Sequence, residues 1–472
     1  MTGSGWRLRL YRDWVCRLAE RVLLPRFFDS GRIDAGTGAG SNSLMSVART
    51  GGFSNAGLDG ISKARTDSVT LPGKSSLEGA SSDSLRRIWF HAASVGELES
   101  IWTVIVAAGA QGHELSVTVF SPSAEKAVER LAAELRQAKS KLLFAGYSPW
   151  EGRWAEALAA VGPTDFVTAK YEAWPELWAS LSLAGIRLTV VGARARKSLA
   201  TAFRFCGWLG VLPPKIRMLA TTAEDAEGLR SFLTTKLQAR GTAARDVVVT
   251  GDPRWDRVYQ RSQAGSPRAR ELMAKRQGLP RPWTVFGSAW LSDLNAWGSG
   301  LAKLPGTIWL VPHHVDNKTV SELEAFLDSH GLENHVRTSG STVSSGADPR
   351  VLIVNEMGFL SELYSAADAA YVGGGFEAGV HSTIEPALQG LPVLTGPKNA
   401  DRFPEIAELS RTGQLLLVRD SKEITAWLEK GGWTSSAGKP PGASSSTQWK
   451  DQAQSRLGAT SRVLEQIIST QA

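Results

Sequence analysis

The sequence predicts an α/β chain built from two doubly wound, parallel-sheet lobes facing a central cleft. Short apolar, β-rich runs alternate with longer helical stretches, the mark of βαβ units and of a parallel sheet covered by helices on both faces. The alternation breaks across a polar, helix-prone segment near residues 262–281 and then restarts, which gives two lobes rather than one. The length, 472 residues, exceeds what one ordinary core fills and suits two domains with connecting segments.

The elements follow in order. Residues 1–28 read as a basic amphipathic helix: Leu8, Tyr11, Val15, Leu18 and Val22 recur at helical spacing as a narrow apolar stripe with Trp14 at its edge. Arg9, Arg12, Arg17 and Arg21 lie on or beside the other face. Such a helix suits the plane of an anionic membrane surface; docking on its own domain is the alternative. Residues 29–84 are dominated by Gly, Ser, Ala and Thr, which predicts a flexible insertion. The first lobe, 85–262, has β-rich runs at 88–91, 115–120, 141–144, 165–169, 187–192 and 247–250. The second, 275–432, has them at 284–287, 307–312, 351–354, 370–373, 393–396 and 415–418. A low-complexity loop and a terminal helix complete the chain over 433–472. Ligands of doubly wound sheets bind beyond the carboxyl ends of the strands, which is where chemistry is sought.

Composition narrows the classes. A hydrophobic fraction of 42% and a charged fraction of 21% are those of a globular protein. Two cysteines, Cys16 and Cys206, give neither a disulfide framework nor a metal-ligand spacing. The net charge of +7 asks for an anionic partner and leaves nucleic acid, a membrane surface and a phosphorylated substrate open. No stretch has the eighteen or so uninterrupted apolar residues of a spanning helix.

Several strand ends carry candidate chemistry. Ser94-Val95-Gly96-Glu97 follows the first strand: Glu97 is placed for general-base work, and Ser94-x-x-Glu97 is equally a capping box. Glu172, after the fourth run, either acts in the site or complements the dipole of the helix opened by Pro175. Arg254 could meet an anionic leaving group, or pair with Asp252 or Asp256. His313 and His314 end a second-lobe strand; adjacent imidazoles converge poorly on a metal, so contact with a phosphate or carboxylate is the better reading. Gly373-Gly374-Gly375, then Gly379-Val380-His381-Ser382, lead into a helix with Glu385 in its opening turns: a strand–loop–helix setting for a nucleotide phosphate, with Glu385 accepting from ribose hydroxyls. A dinucleotide oxidoreductase would carry its glycines after the first strand, and here they come late.

Taken in order over residues 88–415, these blocks resemble the Kdo (3-deoxy-D-manno-octulosonic acid) transferase family. Ala92–Glu97 resembles its block ending Ser-Val-Gly-Glu, Glu172–Pro175 its Glu-Leu-Trp-Pro, and Gly192-Ala193-Arg194 its Asn-Ala-Arg. Gly251–Asp256 resembles Gly-Asn-x-Lys-x-Asp, Pro312-His313-His314 resembles Pro-Arg-His, and Met357-Gly358-Phe359-Leu360 resembles Met-Gly-Glu-Leu. Gly379–Pro386 resembles Gly-Gly-His-Asn-Pro-Leu-Glu-Pro. The resemblance implies a GT-B fold of two Rossmann-like lobes, with the acceptor in the first and CMP-Kdo mainly in the second. It implies transfer of Kdo to a lipid A precursor at the cytoplasmic face of the inner membrane, with no cofactor, metal or nucleic acid. It puts the catalytic base on Glu97 and transition-state stabilisation on Glu172 and Arg254. Donor contacts fall on His313, His314, Met357, Gly358, Phe359, Gly379, Val380, His381 and Ser382, beside Glu385. Departures are Arg254 for lysine, His313 for arginine, Phe359 for an acid and Ser382 for an amide. Related alternatives are a GT-B enzyme using another sugar nucleotide and a non-catalytic descendant.

Overall fold

A computed structural model describes residues 5–16, 85–170, 172–237, 245–332, 336–338, 349–430 and 443–469. The insertion expected at 29–84, the helical segment beyond residue 16 and the loop at 431–442 lie outside the described residues. The chain divides into two compact units, Met1–Asp256 with Gly458–Ala472, and Arg257–Leu457.

Strands of the first unit are β1 Arg87–Ala92, β2 Glu114–Val119, β3 Leu142–Tyr147, β4 Asp165–Ala169, β5 Arg187–Val191, β6 Ile216–Ala220 and β7 Arg245–Val249. They form one parallel sheet in the order β3-β2-β1-β4-β5-β6-β7. Successive side chains of a strand point to opposite faces, so an apolar run feeds both helix layers. Ile88, Phe90 and Ala92 pack into one layer with Ile101, Val104 and Leu131. Trp89, between them, enters the other with Trp154, Phe166 and Trp178. Burying each such large side chain contributes on the order of 2–3 kcal/mol. Helix Ala459–Ile468 returns from the far end of the chain to this unit. Val463, Leu464 and Ile467 join the β1 layer, and the Gly458 and Thr460 N–H groups donate to Asp256 at 2.7 and 2.6 Å.

Residues 5–16 dock on the same unit. Helix Gly5–Leu10 is followed by a π-helical turn, Tyr11–Cys16. Leu8 is buried with Ala179 and Leu209, and Tyr11 meets Phe205 edge-on at 5.0 Å. Arg12 departs from its expected place on the outer basic face. Its Nε donates to Glu176 Oε1 at 3.1 Å, and Glu176 is wholly buried. A π turn has more than the 3.6 residues that set the expected stripe, so side chains past Leu10 rotate out of that register.

In the second unit, β8 Trp283–Ala289, β9 Thr307–Pro312, β10 Val336–Arg337, β11 Val351–Ile353, β12 Ala369–Val372, β13 Val393–Thr395 and β14 Leu415–Leu417 form the parallel order β10-β11-β9-β8-β12-β13-β14. The alternation repeats: Phe286, Ile308, Leu310 and Tyr371 face one layer, and Val285, Trp309, Val311 and Ala370 the other. The polar stretch after residue 262 holds helix Pro267–Lys275, capped by Ser266, with Ala269 buried in this unit. Both sheets grow first to one side of their opening strand and then to the other. The switch points are β1/β4 and β8/β12, where open α/β sheets bind ligands. Each unit is thus a doubly wound, Rossmann-like parallel sheet.

Candidate functional site

Helix Val95–Ala110 starts directly after β1, capped by Ser94 in extended conformation, whose Oγ accepts from the Glu97 N–H at 3.4 Å. Glu97 Oε2 accepts from the Ala93 N–H at 2.7 Å. Half of the capping box foreseen from sequence is therefore made: Ser94 caps the helix, but the Glu97 carboxylate reaches the Ala93 N–H rather than that of Ser94, and uses only one of its oxygens. Oε1 accepts no hydrogen bond among the described residues, so capping leaves a proton acceptor over.

Glu172 follows β4, the strand beside β1 across the switch point. Its Oε2 accepts from the Trp174 indole N–H and lies 3.7 Å from His91 Nε2. The side chain is only 9% exposed, and its charge reaches Glu97. Burial first, then the Glu172 carboxylate, raise Glu97 above the ordinary 4.5. The Ala93 N–H, Lys170 and His91 pull the other way. Two neighbouring carboxylates, one with raised proton affinity, are a recurrent acid–base arrangement.

His91 and Lys170 were not singled out from sequence. His91 is buried on β1 itself; its Nδ1 lies 3.0 Å from Thr118 Oγ1 and its Nε2 faces Glu172. Lys170, one residue past β4, adopts φ +61° and lines a small recess with Glu172, Arg194 and Arg196. A non-glycine left-handed residue at a strand's carboxyl end is a structural signal without any sequence pattern. Arg254 realises its ion-pair alternative: Nε donates to Asp252 Oδ2 at 2.9 Å and Nη2 at 2.5 Å. Burial pushes Asp252 up, but the Arg254 charge and its hydrogen bonds bring it below the ordinary value, with help from Lys170.

The second unit holds a cavity of about 520 Å³ at the carboxyl ends of β8 and β9, beside the β8/β12 switch point. His313, Met357, Gly358, Phe359, His381 and Glu385 all line it. His314, Gly379, Val380 and Ser382 do not; His314 stands edge-on to His313 at 4.6 Å, and Val380 is buried. His313 stacks face-on against both Trp290 at 4.7 Å and His381 at 4.5 Å, which lie side by side in nearly parallel planes. The Trp290 indole N–H donates to His381 Nε2 at 3.1 Å. An indole only donates, so that nitrogen is an acceptor and the His381 ring is neutral. Burial, then His313, holds His381 down to about 4; burial, then His314, lowers His313.

The glycine loop is largely used by the fold. The Gly374 N–H donates to buried Asp293 Oδ2 at 2.8 Å, and the Tyr371 hydroxyl donates to Asp293 Oδ1 at 2.9 Å. A Cβ on Gly375 would strike the backbone of Gly396. The helix that follows, Ile384–Leu388, has five residues, so its dipole is short. Glu385 sits at the cavity wall, raised by burial and drawn back by Arg261. Arg261 and Ser288 also line the cavity and were missed from sequence: Arg261 lies in the segment read as the inter-lobe break, and Ser288 is a positive-φ residue near the end of β8.

Comparison with known proteins follows this geometry. Residues 64–257 match the family model for 3-deoxy-D-manno-octulosonic-acid transferase (kdotransferase). The 3-deoxy-D-manno-octulosonic acid transferase of Bordetella pertussis is 27% identical over 350 residues, 72% of this chain and 78% of that one. The enzyme of the same name from Chlamydophila psittaci is 34% identical over a shorter stretch, 24% of this chain and 26% of that one. Among solved structures, the C-terminal CMP-Kdo binding domain of WaaA from Acinetobacter baumannii is 20% identical, with a TM-score of 0.32, covering 42% of this chain and 99% of that domain. The family model spans β1, β4 and the strand ends bearing Glu97, Glu172 and Arg254, and curated relatives from several bacteria carry the same name. Residues 64–257 therefore carry the kdotransferase domain, and the chain is similar over much of its length to curated 3-deoxy-D-manno-octulosonic acid transferases of several bacteria.

Proposed function

We propose that this protein transfers Kdo from CMP-Kdo to a lipid A precursor, with Glu97 as general base. The observation that carries the proposal is the half-buried Glu97 carboxylate, raised beside Glu172 at the β1/β4 switch point, in a chain whose residues 64–257 match the kdotransferase model. In the reaction a glucosamine hydroxyl gives its proton to Glu97, its oxygen bonds the anomeric carbon of Kdo, and the bond from that carbon to the CMP phosphate oxygen breaks, its electron pair leaving with CMP. The transition state has oxocarbenium character, as in glycoside hydrolysis. Glu172 keeps Glu97 basic, and Arg254, held by Asp252, supplies charge to the departing phosphate.

The unit that ends at Asp256 acts as the acceptor lobe, and the unit Arg257–Leu457, whose cavity Arg261 lines, as the donor lobe. His313, His314, Met357, Gly358, Phe359, Gly379, Val380, His381 and Ser382 contact the donor, and Glu385 accepts from its hydroxyls. The protein works at the cytoplasmic face of the inner membrane. No helix among the described residues is long and apolar enough to cross a membrane; exposed Arg9 and Leu10, and exposed Trp208 and Leu212 on the same unit, suit a peripheral contact. The test is incubation of the purified full chain with CMP-Kdo and lipid A precursor, followed by mass analysis of the lipid. Addition of one or more Kdo residues is expected. An unmodified lipid, with the chain folded and the acceptor dispersed, refutes the proposal.

A further inference from the structure

We infer that Arg261 is the anion-recognition residue of the second-unit cavity, holding an oxyanion of the ligand while Glu385 beside it takes hydroxyl donors. The inference rests on reading this cavity as the sugar-nucleotide site. It deepens that reading by assigning a residue that no motif marks.

The helix Pro253–Ala264 brings Arg261 to the cavity. Val258, Arg261 and Ala264 all line it, at three-residue spacing, so one face of the helix forms the wall. The remaining charges leave Arg261 with the task. Among the described lining residues it is the one Lys or Arg, against three glutamates. Glu356 is paired with Arg268 at 2.8 Å, outside the lining set. Glu362 accepts from the Ser266 N–H. Glu385 is the acid whose proton affinity responds to Arg261. Neither lining histidine brings a cation: His381 uses Nε2 to accept from Trp290, and His313 stacks its face on the Trp290 and His381 rings beside a second imidazole, His314. Their low proton affinity agrees with that geometry.

A ligand with a phosphate or carboxylate therefore finds its positive partner on the helix. Guanidinium offers a planar fork that matches either oxyanion with two N–H donors. A carboxylate adjacent to that fork prefers neutral hydroxyl donors and repels a second anion. The pair thus reads one anionic group and one hydroxylated group, which fits a nucleoside monophosphate or an acidic sugar.

The test is calorimetric titration of the full-length protein and its variants with CMP, UMP, cytidine, free Kdo and inorganic phosphate. Charged hydrogen bonds to an oxyanion lead us to expect Arg261→Gln to weaken whichever oxyanion ligands the wild type binds by about tenfold or more, with cytidine unchanged. Arg261→Lys should recover part of the loss. Lys275→Gln removes the same unit of charge from an exposed pair with Glu271 and should change affinity less than about twofold. Phosphate and carboxylate are separated by whether the loss appears on CMP or on free Kdo. Wild-type-like binding by Arg261→Gln overturns the inference, and so does a wild type that binds none of the oxyanions. UMP binding without CMP binding counts against the Kdo reading instead, and Arg261 is then judged on UMP.

Discussion

Glu97 holds two jobs that a pair of substitutions can separate. Glu97→Ala removes the carboxylate, hence both the proton acceptor and the 2.7 Å bond from the Ala93 N–H at the start of helix Val95–Ala110. Glu97→Gln keeps an oxygen in the same place, so the cap persists while the base is gone. Losing a helix-capping acceptor costs about 0.5–2 kcal/mol, and about 1 kcal/mol moves the Tm of a domain this size by roughly 2–4 °C. Glu97→Ala should thus melt roughly 1–8 °C below wild type, and Glu97→Gln closer to wild type than Glu97→Ala does. On the rate the two should agree, because a general base contributes about 10²–10⁴. Single-turnover formation of the Kdo–lipid product, followed by mass spectrometry, and thermal unfolding by circular dichroism measure the two quantities on the same preparations. If Glu97→Gln turns over within about tenfold of wild type, Glu97 is a cap and nothing more.

Two further outcomes follow from the charges. Glu172 raises the proton affinity of Glu97 and Lys170 lowers it, so Glu172→Gln should move the acid limb of kcat/KM to lower pH and Lys170→Met should move it to higher pH. Shifts of the same sign in both variants contradict the assignment. Glu151, buried beside Glu176 and the docked N-terminal segment, is pushed up to about 8 by burial and the Glu176 charge, against backbone hydrogen bonds from Glu176 and Leu177 and one from Tyr11. Between its ordinary 4.5 and about 8 the folded chain keeps a proton that the unfolded chain has released. Stability is therefore lost as pH rises through that window. Glu151→Gln, neutral throughout, should show a smaller fall in Tm from pH 5.5 to pH 8.5 than wild type; an equal fall places the titration elsewhere.

The strands were legible where an apolar run was uninterrupted. Asp165–Ala169 and Thr307–Pro312 match their predicted limits to the residue, because both faces of each are buried and each is centred on large apolar side chains. β6 was missed because Arg217, its second residue, breaks the apolar run. That guanidinium is buried, and it is satisfied by Gln466 O and Ser469 Oγ, both at 2.6 Å, from the far end of the chain. No local pattern encodes a partner some 250 residues away. The two-residue β10 was missed because it is too short to show a period. Site residues show the same division. Glu97, Glu172 and the cavity-lining His313, Phe359, His381 and Glu385 sit in short motifs at strand ends, where fold and spacing coincide. His91 reads as an ordinary core position until Glu172 is placed opposite it, and Lys170 announces itself through backbone conformation alone.

The departures from the family pattern look different once the charges are placed. Taken one at a time, a histidine at 313 and a phenylalanine at 359 subtract a charge from a donor site. In the folded unit Phe359 is 3% exposed and packs with Leu363 and Val354, so an acid there would have to be buried without a partner, at a cost of several kcal/mol. His313 stacks face-on against both Trp290 and His381, so the ring at this position is held by aromatic contacts rather than by an ion pair. The two substitutions are thus consistent with one apolar, aromatic wall, and together they remove one acid and one base from the same rim. A cavity altered in that way keeps its charge balance only if its remaining acids have partners. Arg268 pairs with Glu356, the Ser266 N–H donates to Glu362, and the charge of Arg261 acts on Glu385. Arg261 lies where an incoming anion would reach it.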